Sequence, residues 1–201
     1  LTHLYLNYNL LGDVGVTALA KALPSLTKLT NFNLSHNNIG PVGADALAKT
    51  MPSMGGLTHL YLSNNHIGDV GAGAVALTMA LQSIKELTYI DLRNNNIGPV
   101  GTAALAIALP SMTCLTNLNL SHNHIGDVGT TILARALPSM TKLTKLDLSW
   151  THIGDAAKAL VKTAALPIVI ITFWKKTMRS RYNNISINRR LLQLENRNRV
   201  K

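Results

Sequence analysis

The sequence contains very little cysteine, few aromatic residues and no long apolar run. Its single cysteine, Cys114, excludes a small domain held together by disulfides and favours a reducing compartment, so we expect a cytoplasmic protein. The longest apolar segment, Ala164–Ile171, is far shorter than the ~20 residues that cross a bilayer. Aromatic residues make up only 4% of the chain, and a core must therefore be built from Leu, Ile, Val and Ala.

Charged residues are also few, at 14%, and they are unevenly distributed. A net charge of +10 is typical of a nucleic-acid-binding protein, but its interpretation depends on where the charges lie along the chain. Residues 1–166 contain ten Lys/Arg and eight Asp/Glu, whereas residues 167–201 contain nine and one. The positive charge therefore belongs to the C-terminal segment, and the rest of the chain is nearly neutral.

A phrase of the form Leu-Thr-x-Leu/Ile/Phe-x-Leu recurs along the first 166 residues. It begins at Leu1, Leu29, Leu57, Leu87, Leu115 and Leu143. The intervals are 28 residues, except for one of 30. Each phrase continues into x-x-Asn-x-Ile/Leu-Gly, with Thr in place of Asn in the last, and then into a stretch rich in Ala and Leu. A fixed period of this length predicts a solenoid of six stacked repeats.

Each repeat is predicted to combine a short strand with a helix. Leu57, Leu60 and Leu62 have the spacing of a brief strand that directs side chains into a core. The Asn after the strand needs partners for its amide, and stacked amides can bind backbone groups of neighbouring repeats as a ladder. The ladder residues are Asn9, Asn37, Asn65, Asn95, Asn123 and, in the last repeat, Thr151. Helical spacing follows, with the apolar positions Val128, Ile132, Leu133, Ala136 and Leu137.

The first turn of the predicted helix carries Asp or Pro in alternation. The residues are Asp13, Pro41, Asp69, Pro99 and Asp127. Both types suit a helix start, and their alternation suggests that a pair of repeats was duplicated, although Asp155 departs from the rule. Glycines two residues further on are predicted to leave space where helix and strand layers touch. These are Gly15, Gly43, Gly71, Gly101 and Gly129.

The pattern Leu-x-x-Leu-x-Leu-x-x-Asn-x-Ile/Leu-Gly-Asp-x-Gly, with a full helix per repeat, resembles the leucine-rich repeat of the ribonuclease-inhibitor type. The same repeat type occurs in the Ran GTPase-activating protein and in nucleotide-binding innate-immune receptors. The resemblance covers residues 1–166 and implies an α/β solenoid of horseshoe form, with a parallel sheet on the concave face and helices on the convex face. It does not select one function among these relatives.

The two ends of the chain depart from the repeat pattern. No capping unit precedes Leu1, so we expect a fragment whose uncapped N-terminal edge could support self-association. The sixth repeat is degenerate. Residues 167–201 form a basic segment, interpreted as a C-terminal cap helix or a disordered tail. A role of this segment in binding nucleic acid or an anionic membrane is the least favoured interpretation.

The exposed side of the predicted sheet is the candidate binding surface. In each phrase from Leu to the ladder residue, the third, fifth, seventh and eighth residues are expected to point away from the core. Strands ~4.8 Å apart align these residues into continuous rows. The rows contain aromatic and polar types that anchor protein interfaces. The candidate protein-binding residues are Tyr5, Tyr8, Tyr61, Tyr89, Asp91, Arg93, Asp147 and Trp150.

The sequence lacks a phosphate-binding loop, and its Ser-His pairs lack a residue to orient them. We therefore expect a non-catalytic scaffold, or the ligand-sensing region of a longer protein, that binds another protein without a cofactor. The alternative is GTPase activation of the Ran-activator type, in which Arg93 would act. Zinc binding by His122, His124 and His152 is a weaker idea, because no carboxylate accompanies them. We interpret these histidines as loop residues and expect no metal.

Overall fold

The computed structural model describes residues 1–69, 72–167 and 169–173. Within these residues, seven strands alternate with six helices. The strands are β1 (His3–Tyr5), β2 (Asn31–Asn33), β3 (His59–Tyr61), β4 (Tyr89–Asp91), β5 (Asn117–Asn119), β6 (Lys145–Asp147) and β7 (Ile170–Thr172). The helices are α1 (Gly12–Ala20), α2 (Pro41–Ala48), α3 (Ala72–Leu81), α4 (Pro99–Ala108), α5 (Gly126–Ala136) and α6 (Asp155–Ala164). None of these helices is long and apolar enough to cross a membrane.

The strands form one parallel sheet in the order of the sequence, from β1 to β7. Equivalent positions of successive repeats pair with each other, as in Phe32 with Leu60 and Leu60 with Ile90. The predicted rows are therefore real features of the sheet. The predicted α/β solenoid, with a parallel sheet on one face and helices on the other, is confirmed.

The core lies between the sheet and the helices. Leu57, Leu60 and Leu62 are fully buried, as their spacing predicts, and they pack in one continuous cluster with the buried helix residues Leu47 and Leu77. Burial of each such side chain contributes about 1.5–3 kcal/mol. Since strands of three residues have few hydrogen bonds of their own, this repeated burial is the main force that holds the repeats together.

The predicted asparagine ladder is present. The side-chain amide of Asn65 donates to the carbonyl oxygens of Leu34 at 3.0 Å and Leu62 at 2.9 Å. Its Oδ1 accepts the backbone N–H groups of Asn37 and Ile39, both at 3.0 Å. Asn65 is 1% exposed, so each of these bonds satisfies a group that water does not reach. At the ladder position of the sixth repeat, the Thr151 hydroxyl donates to Leu148 O at 2.6 Å.

The helices begin in two ways, which alternate along the chain. In odd-numbered repeats the glycine before the acidic residue has positive φ, with values of +54° at Gly12, +80° at Gly68 and +62° at Gly126. Even-numbered repeats have extended glycines with ψ near 180°, at Gly40, Gly98 and Gly154. Gly154 therefore keeps the even-repeat conformation although Asp155 replaces the expected Pro.

The alternating Asp residues cap the helix of the following repeat. Asp13 Oδ1 accepts the N–H groups of Gly40 at 2.7 Å and Gly43 at 2.8 Å, in the first turn of α2. Asp69 does the same for α4, and Asp127 accepts from Gly154 at the start of α6. Gly40 has no side chain with which to cap its own helix, so the preceding repeat provides the carboxylate. The suggestion of a paired repeat thus acquires a physical basis.

Of the helix glycines that were predicted to leave space between the helix and strand layers, Gly129 lies against the preceding helix as well as against Ile125 of its own repeat. A Cβ on Gly129 in α5 would lie 3.3 Å from Pro99 Cα and 3.3 Å from Thr102 Cβ, both in α4. A Cβ on Gly73 in α3 would overlap the backbone of Pro41 in α2. Gly71 lies outside the described residues. The glycines thus allow the helix of an odd repeat to approach the even repeat before it.

Two further expectations differ from the structure. Val128 is 64% exposed and not part of the buried stripe, because the residue that follows the Asp or Pro of the first helical turn lies on the outer surface; Val14, Val42 and Val100 are exposed in the same way. The sheet also continues beyond residue 166, where β7 pairs with β6. The cap helix or disordered tail predicted for the basic segment falls largely on residues 174–201, which lie outside the described residues.

Candidate functional site

The concave face is defined here as the side chains at the third, fifth, seventh and eighth positions of the repeats. In-register pairing brings these side chains into four rows across the sheet. The backbone of each strand is fixed by the leucines on its opposite side, so the rows are held on a rigid support. This rigidity lowers the cost of ordering any side chain that contacts a partner.

Three rings form a cluster at the centre of the concave face. The ring centroids of Tyr61 and Tyr89 are 5.0 Å apart, and His59 lies 6.3 Å from Tyr61 and 5.8 Å from Tyr89. The Thr58 hydroxyl is 2.9 Å from His59 Nδ1 and helps to orient the imidazole. We call these three residues the ring cluster. Tyr61 and Tyr89 were predicted from the sequence, whereas His59 was not, although it occupies the same row as Tyr89.

The other aromatic candidates lie towards the two ends of the face. Tyr5 is 58% exposed, and its ring centroid is 6.0 Å from that of His3. Tyr8 is 73% exposed and stacks on His36 at 4.1 Å. Trp150 is 48% exposed and lies at the opposite end of the eighth-position row, stacked on His122 at 5.4 Å.

All six residues of the eighth-position row have left-handed backbone conformations, with φ between 54° and 59°. This conformation is unfavourable for non-glycine residues, and Asn and His adopt it more readily than Tyr or Trp. In the middle of the row, Asn94 Nδ2 donates to Asn64 Oδ1 at 2.8 Å. The row is thus made of three contacting pairs of flat side chains, each joining an odd repeat to the even repeat that follows. No sequence signal beyond the periodic position indicates this geometry.

Asp91 and Arg93 form an ion pair in which the acid is covered. Arg93 Nη2 is 3.1 Å from Asp91 Oδ2, and the Arg93 N–H donates to Asp91 Oδ1 at 3.0 Å. The prediction that Asp91 is an exposed residue is wrong, because the residue is only 3% exposed. Arg93, whose side chain is 46% exposed, covers it from the solvent side, and Tyr61 and Asn119 flank it at the same position of the neighbouring strands.

The seventh-position row is likewise more buried than predicted. Ser35, Ser63 and Ser121 are all less than 9% exposed. The Ser63 hydroxyl is 3.0 Å from the Ser35 hydroxyl, and it also hydrogen-bonds to Asp91. Arg93 is the long side chain of this row, and it projects beyond the serines to the surface. These serines therefore support the face and offer little contact area to a partner.

Burial dominates the ionisation of the central residues. It raises the pKa of Tyr61 and of Tyr89, and the Asp91 carboxylate raises both further. Burial also raises the pKa of Asp91, against the opposing effects of the Arg93 N–H, the Arg93 guanidinium and the Ser63 hydroxyl. The two tyrosine hydroxyls therefore keep their protons at neutral pH and can donate hydrogen bonds to a partner.

A shallow depression of about 330 Å³ lies beside the ring cluster. The depression reaches from Tyr89 of β4 to Ile170 and Thr172 of β7, with Asn117 and Asn119 of β5 and Lys145 and Asp147 of β6 between them. Asp147 is half-buried, and its Oδ1 accepts the N–H of Ser149 at 2.9 Å. The structure thus places Tyr61, Tyr89, Asp91 and Arg93 together and Asp147 in the depression. That these residues bind a partner remains a prediction.

The histidines do not assemble a metal site. Among the described residues, no group of three His, Cys, Asp or Glu side chains is placed to hold an ion. His124 and His152 stack with their ring centroids 5.5 Å apart and their planes inclined by 10°, an arrangement in which the rings face each other. The interpretation of these residues as loop histidines fits this geometry.

β1 forms the first edge of the sheet and pairs with β2. Leu1 and Leu10 beside it are 65% and 88% exposed, and Leu4, Leu6 and Leu11 are partly buried against the core. The Asn9 amide bonds only within its own repeat, to Leu6 O and Asn7 O. Self-association through this edge remains a prediction.

Comparison with solved structures identifies solenoids of the same fold. A leucine-rich repeat protein of Leptospira interrogans is 22% identical, with a TM-score of 0.65 over 86% of this chain and 37% of that protein. An internalin (InlF) of Listeria monocytogenes is 24% identical, with a TM-score of 0.52 over 88% of this chain and 48% of that protein. The second actin-binding site of leiomodin-1 is 20% identical, with a TM-score of 0.53 over 80% of this chain and 98% of that structure.

At these identities the likeness shows the fold alone, and the chain spans less than half of the first two proteins. A comparison with curated protein sequences gives no match. A family model described as "Leucine Rich repeat" matches residues 1–20, 25–48, 57–76, 86–106, 111–131 and 139–157. Because these six matches span more than half of the sequence and follow its strand–helix units, the chain belongs to the leucine-rich repeat family.

Proposed function

We propose that this chain is a non-catalytic protein-binding scaffold, or the ligand-sensing repeat region of a longer protein, and that it binds through the concave face. The observation that carries the proposal is the ring cluster. Tyr61 and Tyr89 offer broad, partly exposed surfaces with hydroxyl donors, on strands that the core holds in place. Rigid aromatic side chains of this kind are the usual anchors of protein interfaces.

The partner that we propose is another protein, in the cytoplasm. The described repeats carry nearly balanced charge, which gives a polyanion little to bind. Cys114 is an unpaired thiol, as expected in a reducing compartment. Leiomodin-1, whose second actin-binding site has the same fold, supports a role in binding proteins without indicating which partner this chain takes.

We further infer that the repeats are of the ribonuclease-inhibitor type. Helices of eight to eleven residues in every repeat, from α1 to α6, support this assignment. The GTPase-activating alternative has weaker support. It rests on Arg93, and none of the three solved structures named above is described as a GTPase-activating protein.

The proposal is tested once a partner has been isolated by affinity capture. We expect Tyr61→Ala and Trp150→Ala each to weaken binding by ~1–4 kcal/mol, because each removes a large contact area from a rigid strand end. The dissociation constants are measured by surface plasmon resonance, and circular dichroism verifies that each variant folds. Ile107→Ala is the matched control, since Ile107 is 66% exposed on α4, on the opposite side of the solenoid.

Deletion of residues 179–201 separates the repeats from the basic segment. We expect it to leave the affinity for the partner unchanged. Normal binding by both Tyr61→Ala and Trp150→Ala, together with loss of binding on deletion of the segment, would show that the concave face is not the site.

A further inference from the structure

The fixed charges of the concave face lie in two layers. Its two acids, Asp91 and Asp147, are buried and half-buried, whereas its two permanent cations, Arg93 and Lys145, are exposed. For the central ion pair the difference is large, since the side chain of Arg93 is 46% exposed and that of Asp91 is 4% exposed. The face contains as many acids as permanent cations, but the layer that a partner meets first is cationic.

Arg93 is oriented for recognition by the acid beneath it. The Asp91 carboxylate accepts the Arg93 N–H, the Ser63 hydroxyl and one guanidinium nitrogen, Nη2. A guanidinium has five N–H donors, so the other nitrogens of Arg93 keep donors for a second acceptor. Its planar fork matches a carboxylate better than it matches a neutral carbonyl. Asp91 thus restrains the Arg93 side chain at the surface before any partner arrives.

Between the two cations the surface is polar and partly apolar, and it includes the half-buried carboxylate of Asp147. The depression lined by Asn117, Asn119 and Lys145 lies along the path from Arg93 to Lys145, and the ring of Tyr89 borders it on the β4 side. Lys145 is two strands away from Arg93 and four positions towards the strand start. With ~4.8 Å between strands and ~3.3 Å per residue, the two backbone positions are about 16 Å apart, which an extended peptide covers in about five residues.

We propose that the concave face binds an extended acidic segment of its partner, with one carboxylate on Arg93, an apolar side chain in the depression beside Tyr89, and a second carboxylate on Lys145. This inference rests on the proposed function, since it specifies the partner of the same face. Charge complementarity favours this occupant. Charge complementarity disfavours the basic residues between positions 175 and 201 of the chain itself, because they would meet cations of the same sign.

Random dodecapeptides displayed on phage are the probe, selected on the immobilised full-length chain. We expect the selected peptides to share two Asp or Glu residues four to six positions apart, with an apolar residue between them. A synthetic peptide of the consensus sequence is then titrated by fluorescence anisotropy. The same peptide with both acids changed to their amides is expected to bind roughly tenfold to a hundredfold more weakly.

Variants of the ion pair give opposite outcomes. Asp91→Asn keeps a side-chain oxygen that can accept the Arg93 N–H and removes only the competing negative charge, so it is expected to tighten binding of the acidic peptide. Asp91→Asn combined with Arg93→Gln leaves no buried unpaired carboxylate and is expected to weaken binding about tenfold or more. Lys145→Gln, away from the buried pair, is expected to weaken it by a smaller factor. Lys49→Gln, whose side chain is 74% exposed on the helix side, makes the same change in net charge and should have no effect.

The outcomes separate this inference from the proposal beneath it. Peptides that lose binding to Tyr61→Ala but show no preference for acids, or that bind the double variant normally, would overturn the acidic-segment inference and leave the concave face in place. Peptides indifferent to both Tyr61→Ala and Trp150→Ala would overturn the concave-face proposal as well. A selection that yields no binder above background counts against both.

Discussion

The interface between an odd repeat and the next even repeat differs from the interface between an even repeat and the next odd one. In the first kind, an Asp carboxylate caps the next helix, and the N–H of Gly12 or Gly68 donates to the main-chain oxygen of the next ladder residue at 2.9 Å. In the second kind, the ladder side chain accepts two N–H groups and a helix glycine packs on a proline. Repeats of similar sequence are thus connected by two different kinds of interface, which alternate along the solenoid.

The difference explains an otherwise anomalous atom. Asn95 Oδ1 is buried, and it has no hydrogen-bond partner among the described residues. Its equivalent at the other kind of interface, Asn65 Oδ1, accepts two. The positive-φ glycine of the odd repeat redirects the chain to the main-chain oxygen of Asn95, and so its side-chain oxygen is bypassed. The same amino acid at the same repeat position therefore need not contribute equally to the stability of the fold.

The largest expected effect contrasts these two asparagines. Asn65→Ala should lower the free energy of unfolding by about 3–5 kcal/mol, because two buried N–H groups and two carbonyls lose their partner. Asn95→Ala should cost about 1–3 kcal/mol, because only donated bonds are lost. Urea unfolding followed by circular dichroism measures both, with Asn117→Ala on the sheet surface as control. Equal losses would show that the two interfaces are energetically alike.

A smaller effect is expected at the helix glycines. Gly129→Ala should destabilise by about 1–3 kcal/mol, because the new methyl group would crowd Ile125 and the α4 residues Pro99 and Thr102. Gly15 occupies the same position in repeat 1, where the three atoms nearest to a Cβ all belong to the Leu11 side chain, at 3.1 to 3.8 Å. Gly15→Ala should change the free energy of unfolding by less than about 1 kcal/mol, because the helix propensity of alanine offsets a small shift of Leu11. Thermal melting compares the two, and a stabilised Gly129→Ala would contradict the close helix approach.

The smallest effect is expected at the caps. Asp69→Ala should cost about 0.5–2 kcal/mol, because the N–H groups of Gly98 and Gly101 lose a charged acceptor at the start of α4. Asp45→Ala is the matched control, since it removes a surface ion pair with Lys49 that is worth about 0.5 kcal/mol or less. The difference between the two unfolding free energies isolates the cap. A difference near zero would mean that water satisfies the N–H groups at the start of α4 as well as the Asp69 carboxylate does.

The sequence predicts the fold well because every repeat restates it. Six copies of the same leucine spacing leave one consistent strand register, and the ladder follows from an Asn that must be satisfied in the core. Val128 was misplaced because helical spacing alone does not reveal where a helix face ends. The caps could not be derived from one repeat, since Asp13 acts on Gly40 in the next.

The candidate site was predictable only as far as position within the repeat determines exposure. Tyr5, Tyr8 and Trp150 are exposed where the pattern places them. Asp91 occupies an equivalent position and is buried, because its exposure depends on the long Arg93 side chain two residues later. The stacking of His59 and His36 on neighbouring rings depends on which residues meet across repeats, and a repeat read separately does not contain that information.

The alternation of the two kinds of interface also determines how many repeats such a protein can lose or gain at once. Removing one repeat would bring two repeats of the same type together. Between two odd repeats, the Asp of the first would face a glycine with positive φ instead of an extended glycine. Between two even repeats, the proline at the start of one helix would face the proline of the next helix. Removing two neighbouring repeats keeps the two kinds of interface in alternation. The unit in which this solenoid can be shortened or extended by recombination is therefore a pair of repeats, and the His-Leu-Tyr motif of the concave face occurs at His3–Tyr5 and again one such pair later at His59–Tyr61, whereas the fifth repeat has Asn-Leu-Asn.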